Sequence, residues 1–246
     1  VNPRARFALA AFALASAVPV VAVADDAAKP PLRHMVFGAN VILKIQSQAR
    51  GVYDVTYPTG ATISTSTVND NADGQIVCDV IGTSADGGLI LEVSENSDKR
   101  KAGPTRVALQ SDGALLYTQG DKPLNEEEVV LLKLLARGVI GSTPRTAGES
   151  WSVENVGDKY KSTTTFRVTS EPAPASLNLD LEEVYASTGA PAYAGTMHGS
   201  VNYDPRLSVP IKAHLERSTR SEKQDGAQTV AYTLDYTLET DSFKGK

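Results

Sequence analysis

Residues 228–240, Gln-Thr-Val-Ala-Tyr-Thr-Leu-Asp-Tyr-Thr-Leu-Glu-Thr, decide the fold. Val230, Tyr232, Leu234, Tyr236 and Leu238 alternate with Thr233, Asp235, Thr237 and Glu239. Successive side chains of a β-strand point to opposite faces, so this segment builds one apolar face and one wet face. Upstream, Leu177, Leu179, Leu181 and Tyr185 oppose Asn178, Asp180 and Glu182, while Val209, Ile211, Ala213 and Leu215 oppose Lys212, His214 and Glu216. One buried and one solvated face is the signature of an antiparallel sheet. These strands also outrun the usual length of about 5–6 residues. Long one-sided strands twist and coil, which predicts a mainly β fold with a long-stranded curved antiparallel sheet, a half-barrel or barrel.

Working outward, turn chemistry punctuates the chain. The Asp-Gly pairs Asp73-Gly74, Asp86-Gly87, Asp112-Gly113 and Asp225-Gly226 suit tight hairpins. Pro58-Thr59-Gly60, Gly189-Ala190-Pro191 and Asp204-Pro205 are further breaks. Between them the sequence predicts strands near 50–57, 61–68, 75–83, 88–95, 104–110, 113–118, 150–155, 160–170, 177–187, 192–203, 208–219 and 228–240. One helix interrupts them. Asn125 is a good N-cap, Glu128 completes a capping box, Leu124 and Val129 hold the staple positions, and Gly138 suits the end. Its interior, Val129 to Ala136, is apolar apart from Lys133, so protein should enclose it nearly all round. The curved sheet is the natural wrapper, and the domain reads as one β-rich unit over 35–246 with a weak seam near 138–148.

Residues 1–24 read as a cleaved secretory signal. Arg4 and Arg6 precede an apolar run from Phe7 to Val23, and Ala22-Val23-Ala24 closes it before Asp25. A retained anchor is the rival reading, since the run just reaches the lower limit of a span. Pro19 and the small-residue end favour cleavage. Residues 25–34 form a flexible leader with a Pro-Pro step. The expected mature form is soluble and not membrane-spanning, periplasmic or extracellular. Cys78 is the only cysteine, so there is no lipid-attachment Cys at the cut and no internal disulfide. The formal charge of −5 becomes more negative once Arg4 and Arg6 are removed, which speaks against nucleic acid as a partner.

No catalytic, cofactor or metal motif stands out. His34, His198 and His214 lack ligand spacing, and there is no clustered Cys/His set. Gly148-Glu149-Ser150-Trp151-Ser152 starts like a nucleophile elbow but lacks the final Gly. Asn69, Asn71, Asp73 and Gly74 imitate the first half of a calcium loop, yet Val80 stands where the bidentate Glu belongs. Adjacent acids such as Glu182-Glu183 would face opposite sides of a strand. The run Asp98-Lys99-Arg100-Lys101 reads as a solvated loop. Trp151 is expected to pack under the turn at Gly148. The expectation is a non-enzyme without cofactor or metal.

A signal segment, long alternating strands and a greasy helix together resemble the bacterial lipoprotein-localisation carriers and related extracytoplasmic half-barrels. The segment Pro144-Arg-Thr-Ala-Gly-Glu-Ser-Trp151 is similar to a Gly-x-x-Trp step of uncharacterised secreted β-sheet proteins. The first resemblance implies a cavity for acyl chains under a helical cover. The residues expected to line it are Leu177, Leu179, Leu181, Val230, Tyr232, Leu234 and Tyr236, with Val130, Leu131 and Leu134 from the helix. The same side chains could equally fill a closed core. The functional expectation is an exported carrier for a lipid or other hydrophobic ligand, with an envelope-associated protein-interaction module as the alternative.

Overall fold

The computed structural model describes residues 34–51, 62–84, 86–111, 113–119, 124–136, 144–157, 160–187, 189, 192–223 and 226–239. The predicted signal, nearly all of the leader, most of the predicted strand at 50–57, the break at 58–60, Gly138 and most of the seam lie outside them.

The first half of the sheet comprises β1 (His34–Gly51), β2 (Thr62–Thr83), β3 (Leu89–Ser97), β4 (Lys101–Leu109) and β5 (Leu115–Gln119). Helix α1 (Glu126–Leu134) follows. The second half comprises β6 (Ser150–Gly157), β7 (Tyr160–Val168), β8 (Leu177–Ser187), β9 (Tyr193–Asp204), β10 (Val209–Lys223) and β11 (Gly226–Leu238). All eleven strands join one sheet in the order β5-β4-β3-β2-β1-β11-β10-β9-β8-β7-β6. Every neighbouring pair is antiparallel. The first and last strands meet in the middle, with Val41 opposite Leu234 and Leu43 opposite Tyr232. The two halves are therefore meanders, and β5 and β6, consecutive in sequence, are the two outer edges. The sheet is open.

The helix lies in the link between those edges and packs on one face. Asn125 Nδ2 donates to Glu95 Oε2 of β3 at 2.9 Å and Lys133 Nζ to Glu183 Oε1 of β8 at 3.0 Å, and hydroxyls from β9 and β11 reach the helix main chain. Strands from both halves of the sheet thus converge on one short helix, as a sheet coiled around it brings them. The hairpin turn beyond β4 reaches it as well: a methyl at Gly113 would lie 3.7 Å from Ala136 Cβ. The half-barrel around an apolar helix is thus present.

Three local expectations are corrected. Gly74 is no turn residue; β2 runs unbroken through Asp73-Gly74, merging the strands predicted at 61–68 and 75–83. A Cβ at Gly74 would collide with Ser97 and the carbonyl of Asn96, so the glycine admits a neighbouring strand. The segment at 35–49, given no strand, forms most of β1; its alternation of Phe37, Ala39, Val41, Leu43 and Ile45 was masked by Ile42 on the opposite face. His34, assigned to the leader, is the first residue of β1. Elsewhere the turn chemistry holds: Gly87 and Gly113 adopt φ of 80° and 90°, donating to Ser84 and Gln110 carbonyls at 3.0 Å each.

Candidate functional site

The capping box forms as the sequence requires: Asn125 Oδ1 accepts from the Glu128 amide at 2.7 Å, and Glu128 Oε2 from the Asn125 amide at 2.7 Å. Glu126, Glu127 and Glu128 follow the cap, where the positive end of the helix dipole favours carboxylates. The helix is then pinned to the sheet by polar contacts at both ends. Tyr236 Oη donates to the Glu127 carbonyl at 2.6 Å, and Tyr203 Oη to that of Leu134 at 3.0 Å. Arg100 bridges Glu95 and buried Glu128 at 3.0 and 3.1 Å. Arg100, expected in a solvated loop, is therefore a partner of the helix.

Burial pushes the Glu128 carboxyl up, beyond what the Asn125 amide and Arg100 recover. At the other end burial also raises Glu183, but Lys133 and Ser162 outweigh it and hold that carboxyl below the ordinary range. Each buried acid thus has a cation or donor facing it, as burial in low dielectric demands.

The sequence-predicted lining residues divide into two groups. Leu177, Leu179, Leu181, Leu234, Tyr236, Val130, Leu131 and Leu134 are all buried and belong to one hydrophobic cluster between sheet and helix. The space left among Val130, Leu134, Val153, Phe166, Leu181 and Met197 is only about 40 Å³, room for little more than a water at ~30 Å³. This half of the concave face is filled. Val230 and Tyr232 are different: they are half-buried and lie further along β11, past the helix.

Past the helix the apolar face continues without a cover among the described residues. Register sets Leu43 beside Tyr232 and Ile45 beside Val230 on the same face, with Ala72 beside Val41. A cleft of about 210 Å³ opens here against the first turn of α1, lined by Val41, Leu43, Ala72, Lys99, Arg100 and Glu127 among others. Its floor is apolar and its rim charged. Lys99 and Asp70 pair across the rim at 3.0 Å. Pockets for drug-sized ligands begin near ~300 Å³, so this cleft holds part of a molecule whose remainder runs along the open strip. Val41 and Leu43 escaped the sequence reading; the odd-numbered alternation of β1 was the signal that could have found them.

Glu127 stands out on the rim. Its backbone is fixed by Tyr236, and its carboxylate accepts from its own backbone amide, but no ion pair to that carboxylate is seen among the described residues. Burial raises it, with added repulsion from Glu126, Glu95 and Glu128. Nearby, the Tyr232 hydroxyl bonds to Glu126, and burial with the neighbouring carboxylates pushes that phenol up. Arg217 approaches Glu126 at 3.8 Å and stacks over the Tyr185 ring at 4.4 Å.

Other flagged residues settle into structural roles. Trp151 stacks on Phe166 at 5.5 Å under the Arg145 guanidinium. Cys78 is fully buried, and burial raises its thiol, which suits an inert core residue. The imitation calcium loop is straight strand, so Asn69, Asn71 and Asp73 are strung along one face rather than curled around an ion, and Asn40 Nδ2 donates to both Asn71 Oδ1 and Asp73 Oδ1. On the convex face the strands bring together histidines that are far apart in sequence. His198 Nε2 lies 3.3 Å and His214 Nε2 3.7 Å from Glu216, and His214 Nδ1 lies 2.8 Å from Asp235. Among the described residues, no group of three His, Cys, Asp or Glu is placed to hold a metal ion. Nor is any described helix long and apolar enough to cross a membrane.

No family model matches the chain, and no curated protein does. A solved structure described as "Lipid-protein interactions in lipovitellin" is similar over 86% of this chain, at 11% identity and a TM-score of 0.40. The match covers 26% of that chain, so the present chain spans about a quarter of its length. So loose a likeness says nothing about what this chain binds. The resemblance to lipoprotein-localisation carriers rests on the strand pattern.

Proposed function

We propose that this chain is an exported, non-enzymatic binding or carrier protein for a lipid or other hydrophobic ligand. The observation that carries the reading is the mismatch between helix and sheet. The helix covers only part of a continuous apolar face, and Val41, Leu43, Ile45, Val230 and Tyr232 extend that face beyond it. A strip of this kind, rimmed by charge, suits an acyl chain lying along the strands. Export rests on the basic, apolar and small-residue order of residues 1–24. The test is native mass spectrometry of the purified protein with organic extraction of bound material. A co-purifying lipid, or displacement of an uncharged long-chain fluorescent probe by lipid extract, supports the reading. A clean apo-protein that binds no probe sinks it.

The second reading, an envelope-associated protein-interaction module, is favoured by one observation. The helix-covered half is filled almost without voids, as a scaffold would be. Pull-down from envelope extract by a protein that binds no amphiphile would select it.

A further inference from the structure

The trough carries one charge that its surroundings leave unbalanced. The cleft is lined by the carboxylates Asp70, Glu95 and Glu127 and the cations Lys99 and Arg100, and Glu126, Glu128 and Arg217 belong to the ion pairs beside it. Lys99 is engaged by Asp70, Arg100 is shared by Glu95 and Glu128, and Arg217 approaches Glu126. Among the described residues, Glu127 alone of these carboxylates has no cation of its own; it stands on the cleft wall, beside the apolar floor of Val41, Leu43 and Ala72. Its main chain is held in place by Tyr236, so the carboxylate cannot withdraw far from the cleft.

We infer that the ligand of the trough is an amphiphile whose head bears a protonated amine, seated on Glu127 with its tail along Val41 and Leu43. This rests on the trough being the binding site. An ammonium supplies the missing opposite charge and up to three donors, and a charge-assisted hydrogen bond in a half-buried cleft is among the stronger polar contacts. A carboxylate head would instead add repulsion to an acidic rim, because Lys99 and Arg100 are already engaged. The helix N-terminus opposes a cation through its dipole, and the surrounding carboxylates Glu95 and Glu127 outweigh it with full charges. Burial, with added repulsion from the neighbouring carboxylates, makes Glu127 costly to ionise, and an ammonium facing it offsets that repulsion.

The experiment is calorimetric titration with dodecylammonium, dodecanol and dodecanoate, each below its micelle concentration, at pH 8. The expected order is dodecylammonium tightest by about tenfold over dodecanol, the scale of one charge-assisted hydrogen bond, with dodecanoate weakest. Glu127→Gln should abolish the preference for the amine over dodecanol, and Glu127→Asp should keep part of it. Far-ultraviolet circular dichroism and dodecanol binding report whether Glu127→Gln is folded. Equal affinity for amine and alcohol, or an amine preference that survives in folded Glu127→Gln, overturns the head-group inference and leaves the trough standing. Failure of all three probes to bind overturns the trough and the inference together. Capture by phosphatidylethanolamine vesicles over phosphatidylglycerol vesicles assigns the amine to a lipid head; binding of free dodecylammonium without vesicle capture assigns it to a soluble long-chain amine.

Discussion

The hydroxyl of Tyr203 donates a 3.0 Å hydrogen bond to the main-chain carbonyl of Leu134, fastening the last turn of α1 to β9. That carbonyl is one of the four at a helix C-terminus that have no partner within the helix. The tyrosine is buried, so removing its hydroxyl strands an acceptor away from water. Tyr236 makes the corresponding contact at the other end, to Glu127. The Glu127 carbonyl, in the first turn, is placed to accept from the helix as well. Tyr203→Phe should therefore cost about 1–3 kcal/mol and Tyr236→Phe about 1 kcal/mol. Urea unfolding of both variants measures the difference; equal costs would show that the helix end is satisfied by another group.

The filled half and the open half of the concave face should respond oppositely to substitution. Leu181→Ala removes a fully buried side chain and should cost about 2–5 kcal/mol, with probe binding unchanged in the folded fraction. Leu43→Asp places a charge on a half-buried strip and should weaken binding of an uncharged long-chain probe with a smaller effect on unfolding. Paired denaturation and binding curves check this. A Leu181→Ala protein that stays folded but loses probe affinity would move the site under the helix.

Lys133 and Glu183 form a pair whose acid is the more deeply buried partner. Lys133→Met leaves Glu183 without its main counter-charge and should cost about 3–5 kcal/mol. The double variant Lys133→Met with Glu183→Gln should recover part of that loss, because no unpaired charge is then buried. A double-mutant cycle by urea unfolding reads the coupling. If the double variant is no more stable than Lys133→Met, the cost arises from packing of the lysine stem.

Glu127 and Glu183 give pH dependences of opposite sign. The folded Glu183 carboxyl sits below its unfolded value, so its stabilisation is present above the unfolded value and is lost as pH falls through the folded one. The folded Glu127 carboxyl sits above its unfolded value, so its contribution is present below the unfolded value and is lost as pH rises through the folded one. Glu127→Gln should therefore flatten the decline in stability as pH rises above the ordinary glutamate range. Urea midpoints of wild type and Glu127→Gln across pH 4–8, values typical of carboxylate titration, provide the check. Parallel curves would mean that Glu127 titrates alike in both states.

Much of the sheet was legible because it is written in period two. Leu177 to Tyr185 and Val230 to Leu238 show one clean apolar face each, and the structure buries that face along most of both strands. The capping box was equally plain, because it joins Asn125 and Glu128 within one turn. β1 was harder to see. Ile42, 41% exposed on the convex face, breaks its alternation, and half of its inner face is left half-buried. Asp73-Gly74 misled because a glycine needed for the approach of Ser97 has the same sequence appearance as a glycine needed for a turn. The candidate site was legible only in kind. Ten apolar residues were named for a cavity, and the position of one short helix decides that Val230 and Tyr232 stay half-buried while the other eight are packed. Such coverage depends on where a connection crosses the sheet, a property of topology that alternation does not encode. Nor does local sequence show that Arg100 leaves its charged run to meet Glu128.

The central claim is that the uncovered strip of the concave face binds an apolar chain, and its most direct test is fluorescence titration of the purified protein with an uncharged long-chain alkyl probe, comparing wild type with Leu43→Asp. The account predicts saturable binding with a blue-shifted emission in wild type and at least about a tenfold weaker affinity in the folded variant, in line with a charge set into an apolar contact. Absence of saturable binding in wild type, or equal affinity in the two proteins, would contradict it.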